Sequence, residues 1–174
     1  MTLLRTALTW DGRPVVHPAY VELVINEGHL EIYVEAAHHG DPPPPSRPGP
    51  TGKLWEHEAI ELFVCSGEDP PQYTEIELGP YGHYLVLRLV GIRTIVEHAL
   101  PIQYGAVITA PRWSGFARVP LALLPPRTSA GWRVNATHVW GPPERRAYET
   151  AARLTAAEPD FHRPHEFVHG LFPA

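Results

Sequence analysis

Apolar residues recur at every second position in this chain far more often than at every third or fourth. They come in short runs rich in β-branched and aromatic side chains, the pattern of strands. It is carried by segments 20–26, 30–36, 59–65, 73–78, 83–90, 115–121 and 132–139. Short strands at near-regular spacing predict an all-β antiparallel fold, a β-sandwich or a barrel, with at most one or two short helices. Glu27-Gly28-His29 joins the first two segments and suits a hairpin. Gly79-Pro80-Tyr81-Gly82 supplies the turn chemistry between the fourth and fifth. Helical spacing appears at Ala147, Tyr148, Ala151 and Leu154, and predicts a short helix over 144–157. No repeat of 20 to 50 residues is visible.

Proline sharpens this picture. The chain has 21 prolines among 174 residues, where about 5% is ordinary, so long helices have little room. Segment 39–52 holds Pro42-Pro43-Pro44-Pro45 and cannot donate a regular ladder. The expectation is one sandwich domain over 1–174 with a Pro-rich surface loop at 40–52, a stiff cover rather than a ligand for a proline-reading module.

Nineteen acidic residues against 14 basic ones give a net charge of −5, which opposes a phosphate-tracking surface and sets nucleic acid aside. Thirteen of the 14 basic residues are arginine, a bias ascribed to a GC-rich genome. Cys65 is the sole cysteine, so an intramolecular disulfide and a Cys-based zinc site are excluded. No apolar run approaches the roughly 20 residues that span a bilayer. The opening residues lack a secretory apolar core. A soluble, cytoplasmic protein without membrane association is expected.

Candidate chemistry concentrates on one strand pair. Alternation in 59–65 puts Glu61, Phe63 and Cys65 on one face, and in 73–78 it puts Tyr73, Glu75 and Glu77 together. A hairpin with Cys65 opposite Tyr73 sets Phe63 against Glu75 and Glu61 against Glu77, so three carboxylates converge. Such crowding is unfavourable unless a cation, a proton or water separates them. Arg88 on the following strand is expected to reach the same face. One reading is a solvated outer sheet face. The other is a polyhydroxy-ligand site: Trp55, just before the strand, stacks on a sugar ring while glutamates accept from hydroxyls and Arg88 and His57 donate. Paired carboxylates also admit a glycosidase.

The string from Leu54-Trp55 through Glu61-Leu62-Phe63-Val64, the run from Tyr73 to Gly82, Gly131-Trp132-Arg133-Val134-Asn135 and the stretch from Phe161-His162 to Phe167 resemble a family 9 carbohydrate-binding module and its superfamily. Trp10-Asp11-Gly12-Arg13-Pro14 and the Pro-rich loop narrow the resemblance to a small uncharacterised protein family of bacteria and animals sharing that fold. The resemblance implies a sandwich of antiparallel sheets. In sugar-binding members two tryptophans clamp a terminal sugar and polar side chains bond its hydroxyls. Carried over, the first platform matches Trp55 and a hydroxyl-bonding carboxylate matches Glu61. An arginine position of the family falls on Glu75, reversing its charge, and the second platform falls near Phe161 or His162. Those modules carry calcium on Asp-rich loops; here Asp11, Asp41, Asp69 and Asp160 are scattered, so calcium is not expected. Haem with a methionine ligand is not expected either, Met1 being the sole methionine.

Eleven histidines raise a metal hypothesis, but neither His38-His39 nor His162, His165 and His169 has a zinc-binding pattern. His162 is weighed as a packing residue against a ligand contact. The reading is therefore a non-catalytic binding module-like protein for a saccharide or other polyhydroxy ligand, with Trp55, His57, Glu61, Glu75, Glu77, Arg88, Phe161 and His162 at the site. No metal and no cofactor are expected. The alternatives are a carboxylate-dependent glycoside hydrolase and a structural or interaction protein, with a homodimer among the partners weighed.

Overall fold

The computed structural model describes residues 1–172. In chain order its strands are β1 (Thr2–Arg5), β2 (Leu8–Thr9), β3 (Tyr20–Asn26), β4 (His29–Ala37), β5 (Gly49–Pro50), β6 (Ala59–Cys65), β7 (Gln72–Leu78), β8 (His83–Val90), β9 (Ile95–His98), β10 (Gln103–Thr109), β11 (Arg112–Pro120), β12 (Trp132–Trp140), β13 (Ala147–Thr150) and β14 (Val168–Leu171). One sheet runs β1-β3-β4-β11-β10; the other runs β2-β13-β12-β6-β7-β8-β5, with β14 on β12 and β9 on β8. Pairing is antiparallel except where β5 runs parallel to β8. Of the sandwich and the barrel that alternation admits, the sandwich implied by the resemblance is the fold. Its helical content among the described residues is four 3-10 turns.

Turn chemistry sets the register. Glu27 and Gly28 take φ of 46° and 77°, so a two-residue turn of the type favoured by right-twisted hairpins closes β3 on β4 and pairs Asn26 with His29. Gly82, at φ 81°, closes β7 on β8 and returns its amide to the Gly79 carbonyl.

The helix expected over 144–157 does not form. Pro143–Arg145 makes a single 3-10 turn, and Ala147–Thr150 is a strand pairing with β12. The apparent helical spacing arose because Tyr148 serves a strand while Ala152 and Leu154 belong to a non-helical segment packed on the same sheet.

Two apolar layers result. Between the sheets, side chains such as Val21, Ile32 and Val119 meet Ile60, Leu62, Ile76 and Val134. Behind the second sheet, Phe63, Tyr73, Leu85 and Leu87 are covered by Leu54, Leu154, Phe161 and Phe167. Strand β6 is consequently buried on both faces along its whole length, and its near-continuous apolar sequence fits a strand with a layer on either side. Tyr104 of β10 bolts the sheets together, donating to the Gly79 carbonyl at 2.8 Å.

At one end of the inter-sheet layer lies a charged cluster. His138 is enclosed, with Nε2 3.8 Å from Glu58 and Nδ1 3.7 Å from Glu149. Glu58 accepts the His39 amide, Glu149 accepts the Thr6 hydroxyl at 2.8 Å, and the His39 ring stacks on Trp140. Asp41 accepts the Gly141 amide at 2.9 Å, fastening the start of the proline-rich segment to β12.

Candidate functional site

The outer face of the second sheet holds a cavity of about 450 Å³, within the range typical of small-molecule sites. β6 contributes Glu61 and Phe63, β7 contributes Glu75, and β8 contributes Leu87 and Leu89 to its floor. Trp55, Tyr148 and Phe161 form aromatic wall, and Arg93, Pro159 and His162 complete the rim. The Leu54–Glu56 turn is anchored by fully buried Leu54, which leaves Trp55 41% exposed at the mouth.

The strand register is the one that makes the carboxylates converge. Cys65 pairs with Tyr73, Phe63 with Glu75 and Glu61 with Glu77. A solvated face does not result, because segment 152–167 covers it: Glu75 is 4% exposed and Glu77 is sealed. Glu61 and Glu75 face the cavity, whereas Glu77 lies off its lining with neither carboxyl oxygen hydrogen-bonded.

Arg88 is a correction. Leu87 lies opposite Glu75 and Arg88 opposite Thr74, so the even-numbered side chains of β8 point away from the carboxylates. Arg88 pairs instead with Glu97 of β9. His57 is half-buried beside the site and does not line the cavity; its carbonyl is taken by Arg146. Trp55, Glu61, Glu75, Phe161 and His162 are brought together.

Two other arginines stand near the carboxyls, each already engaged. Arg93, on the turn after β8, lines the cavity and donates to Asp160 at 2.8 Å. Arg146 is largely buried and donates to the carbonyls of Trp55, His57 and Gly141, pinning the backbone beneath the indole. The Arg145-Arg146 pair was visible in the sequence but sat inside the misread helical segment. Tyr148 was lost in the same way.

Hydrogen bonding fixes the orientation of His162. The Tyr73 hydroxyl accepts the Arg93 amide at 3.0 Å and lies 2.8 Å from Nδ1 of His162. The hydroxyl's remaining lone pair and its proton can both serve Nδ1, so this contact fixes the direction of the ring in either tautomer. Nε2 faces Glu75 at 3.9 Å, beyond hydrogen-bond reach. Burial, aided by Arg93, pushes His162 down to about 4, so the ring is neutral at physiological pH.

The carboxyls shift the other way. Burial raises Glu61 to about 7, against the pull of the Thr137 hydroxyl at 2.9 Å and of Arg146. Burial and then Glu61 raise Glu75 to about 8; burial, Glu61 and Glu75 hold Glu77 well above the usual range. The three titrate as one cluster, sharing protons near neutrality rather than carrying three charges. Chemically, the floor offers both donors and acceptors to hydroxyl groups. Among the described residues no group of three or more His, Cys, Asp or Glu side chains is arranged to hold a metal ion. Nor, among the described residues, is any helix long and apolar enough to cross a membrane.

No family model matches the chain. It is 36% identical over 164 residues to the UPF0462 protein C4orf33 homolog of Mus musculus, covering 89% of this chain and 83% of that protein. It is 32% identical over 163 residues to the UPF0462 protein C4orf33 of Homo sapiens, covering 88% and 80% respectively. Among solved structures, a candidate carbohydrate-binding protein from Bacteroides uniformis superposes with a TM-score of 0.75 at 13% identity, covering 96% of this chain and 84% of that one. A family 9 carbohydrate-binding module from Caldicellulosiruptor kristjanssonii in complex with glucose superposes at 0.57 with 11% identity, over 87% and 74% of the two chains. The same organism's module with cellotriose gives 0.53 at 10% identity, over 87% and 72%. These structures share the fold.

Proposed function

The chain belongs to the UPF0462 family, and on that premise we propose that it is a non-catalytic binding protein for a saccharide or other polyhydroxy ligand. The observation that carries this reading is the cavity itself, where an exposed indole stands over two buried carboxyls beside a neutral imidazole. Trp55 supplies a stacking surface for the C–H face of a ring. Glu61 and Glu75 accept from hydroxyls when ionised and donate when protonated, and His162 presents Nε2 as a further hydrogen-bonding group. The carbohydrate-binding fold of its structural neighbours agrees with this reading.

Titration with neutral mono- and oligosaccharides, followed by tryptophan fluorescence and calorimetry, tests it. Saturable binding that disappears in Trp55→Ala is expected; silence across the panel would overturn it. A second reading, glycoside hydrolysis, is favoured by one observation, the raised carboxyls lying beside each other in a cavity, as a general acid requires. Release of aryl alcohol from aryl glycosides, abolished in Glu61→Gln, would establish that reading in its place.

A further inference from the structure

The cavity floor holds more carboxyl groups than its surroundings neutralise. Arg93 is engaged by Asp160, and Arg146 is spent on three backbone carbonyls with Asp41 at 3.8 Å. Thr137 gives Glu61 one neutral hydrogen bond. Glu75 is 96% removed from solvent, lines the cavity, and faces the His162 Nε2 at 3.9 Å, beyond hydrogen-bond reach. Behind them, neither Glu77 oxygen has a hydrogen bond of good geometry, and the pull of the Trp55 backbone leaves its carboxyl raised.

The walls carry the complementary property. Phe63, Tyr148 and Phe161 line the cavity together with the Trp55 indole, and Tyr148 and Phe161 lie 5.5 Å apart between ring centroids. Aromatic faces gathered around carboxylates attract organic cations through both the ring quadrupole and direct charge. A neutral sugar would use the stacking surface and leave the floor's charge capacity unmet.

We propose that the ligand of this pocket carries an ammonium group beside its hydroxyls, as an amino sugar does. This rests on the polyhydroxy-ligand reading above and names the class within it. The ammonium sits against Glu75 and Glu61 within the aromatic walls, while ring hydroxyls meet His162 Nε2 and the remaining carboxyl oxygen. An ammonium takes over the neutralisation that protons provide in the free protein. Binding therefore expels protons from the carboxyl cluster.

Calorimetry on the full chain at pH 7 with glucosamine, glucose and N-acetylglucosamine separates these claims. Glucosamine is expected to bind about tenfold or more tightly than glucose, the scale of a desolvated cation–π and charge contact. N-acetylglucosamine, which loses the charge, is expected to lose that advantage. The glucosamine heat should differ between phosphate and HEPES buffers, reporting proton release, and the glucose heat should not. Glu75→Gln should narrow the glucosamine-to-glucose ratio; if that variant does not fold, the comparison of sugars on the unmodified protein still decides. Glucose or N-acetylglucosamine binding as tightly as glucosamine overturns the ammonium inference and leaves the polyhydroxy reading standing. Binding of none of the three, nor of any saccharide in the wider panel, overturns both.

Discussion

Single atoms decide how this pocket is arranged, and Tyr73 shows it best. Its hydroxyl joins the Arg93 amide to the His162 ring, so one group sets the turn after β8 and the direction of an imidazole. Tyr73→Phe leaves two polar groups unmatched and is expected to cost about 1–3 kcal/mol in urea unfolding. It should also free the His162 ring, read as a changed imidazole titration by NMR. The residue scale is also where sequence reading was weakest. Alternation on β6 and β7 correctly grouped Glu61, Glu75 and Glu77, because strand parity is local information. Arg88 was misplaced because which parity of β8 faces the carboxylates depends on the β7–β8 register, and Arg93 was missed because it acts from a turn that periodicity does not describe.

Strands with one strongly apolar face were legible with nearly their observed ends, as β3, β6 and β8 show. Those missed lack that contrast. β9 is exposed throughout, and β10 lies at a sheet edge with alternation muted by Gly105. Gly115 of β11 leaves no room for a side chain beside Tyr104 of the paired strand β10. A Cβ at Gly115 would stand 2.9 Å from the Tyr104 hydroxyl and 3.1 Å from the Trp113 ring, breaking the bolt between sheets. Gly115→Ala is expected to destabilise by about 1–3 kcal/mol, the usual cost of overpacking; an unchanged urea midpoint would contradict that packing. The covering segment has a brace of its own. Glu166 accepts from the Thr155 amide at 2.9 Å and from Arg163 at 2.8 Å, and Arg163 leads in holding its carboxyl down at about 2. Glu166→Gln should weaken ligand binding more than it lowers the melting temperature, since the brace shapes the cavity wall and not the sandwich.

The whole molecule integrates these groups into one pH response. Glu61 and Glu75, raised to about 7 and 8, and the raised Glu77 contribute stability that is complete below the ordinary carboxylate range. It fades as pH climbs through those folded values. His138 is depressed by its burial but raised on balance by Glu149 and Glu58, so its contribution also disappears on the alkaline side. Glu58 is held low by His138 and by the His39 amide despite its burial, and its contribution disappears as pH falls. The ligand-free protein should be most stable near pH 5 and lose melting temperature steadily toward pH 9, with Glu77→Gln flattening that decline. A melting temperature that rises across this interval would refute the assignment of protonated carboxyls. The strands of both sheets pair among themselves without segment 152–167, yet that segment supplies Pro159, Phe161 and His162 to the cavity. Divergence among relatives can therefore rewrite one wall of the pocket by substitution or length change in that segment alone, so selectivity evolves separately from the scaffold.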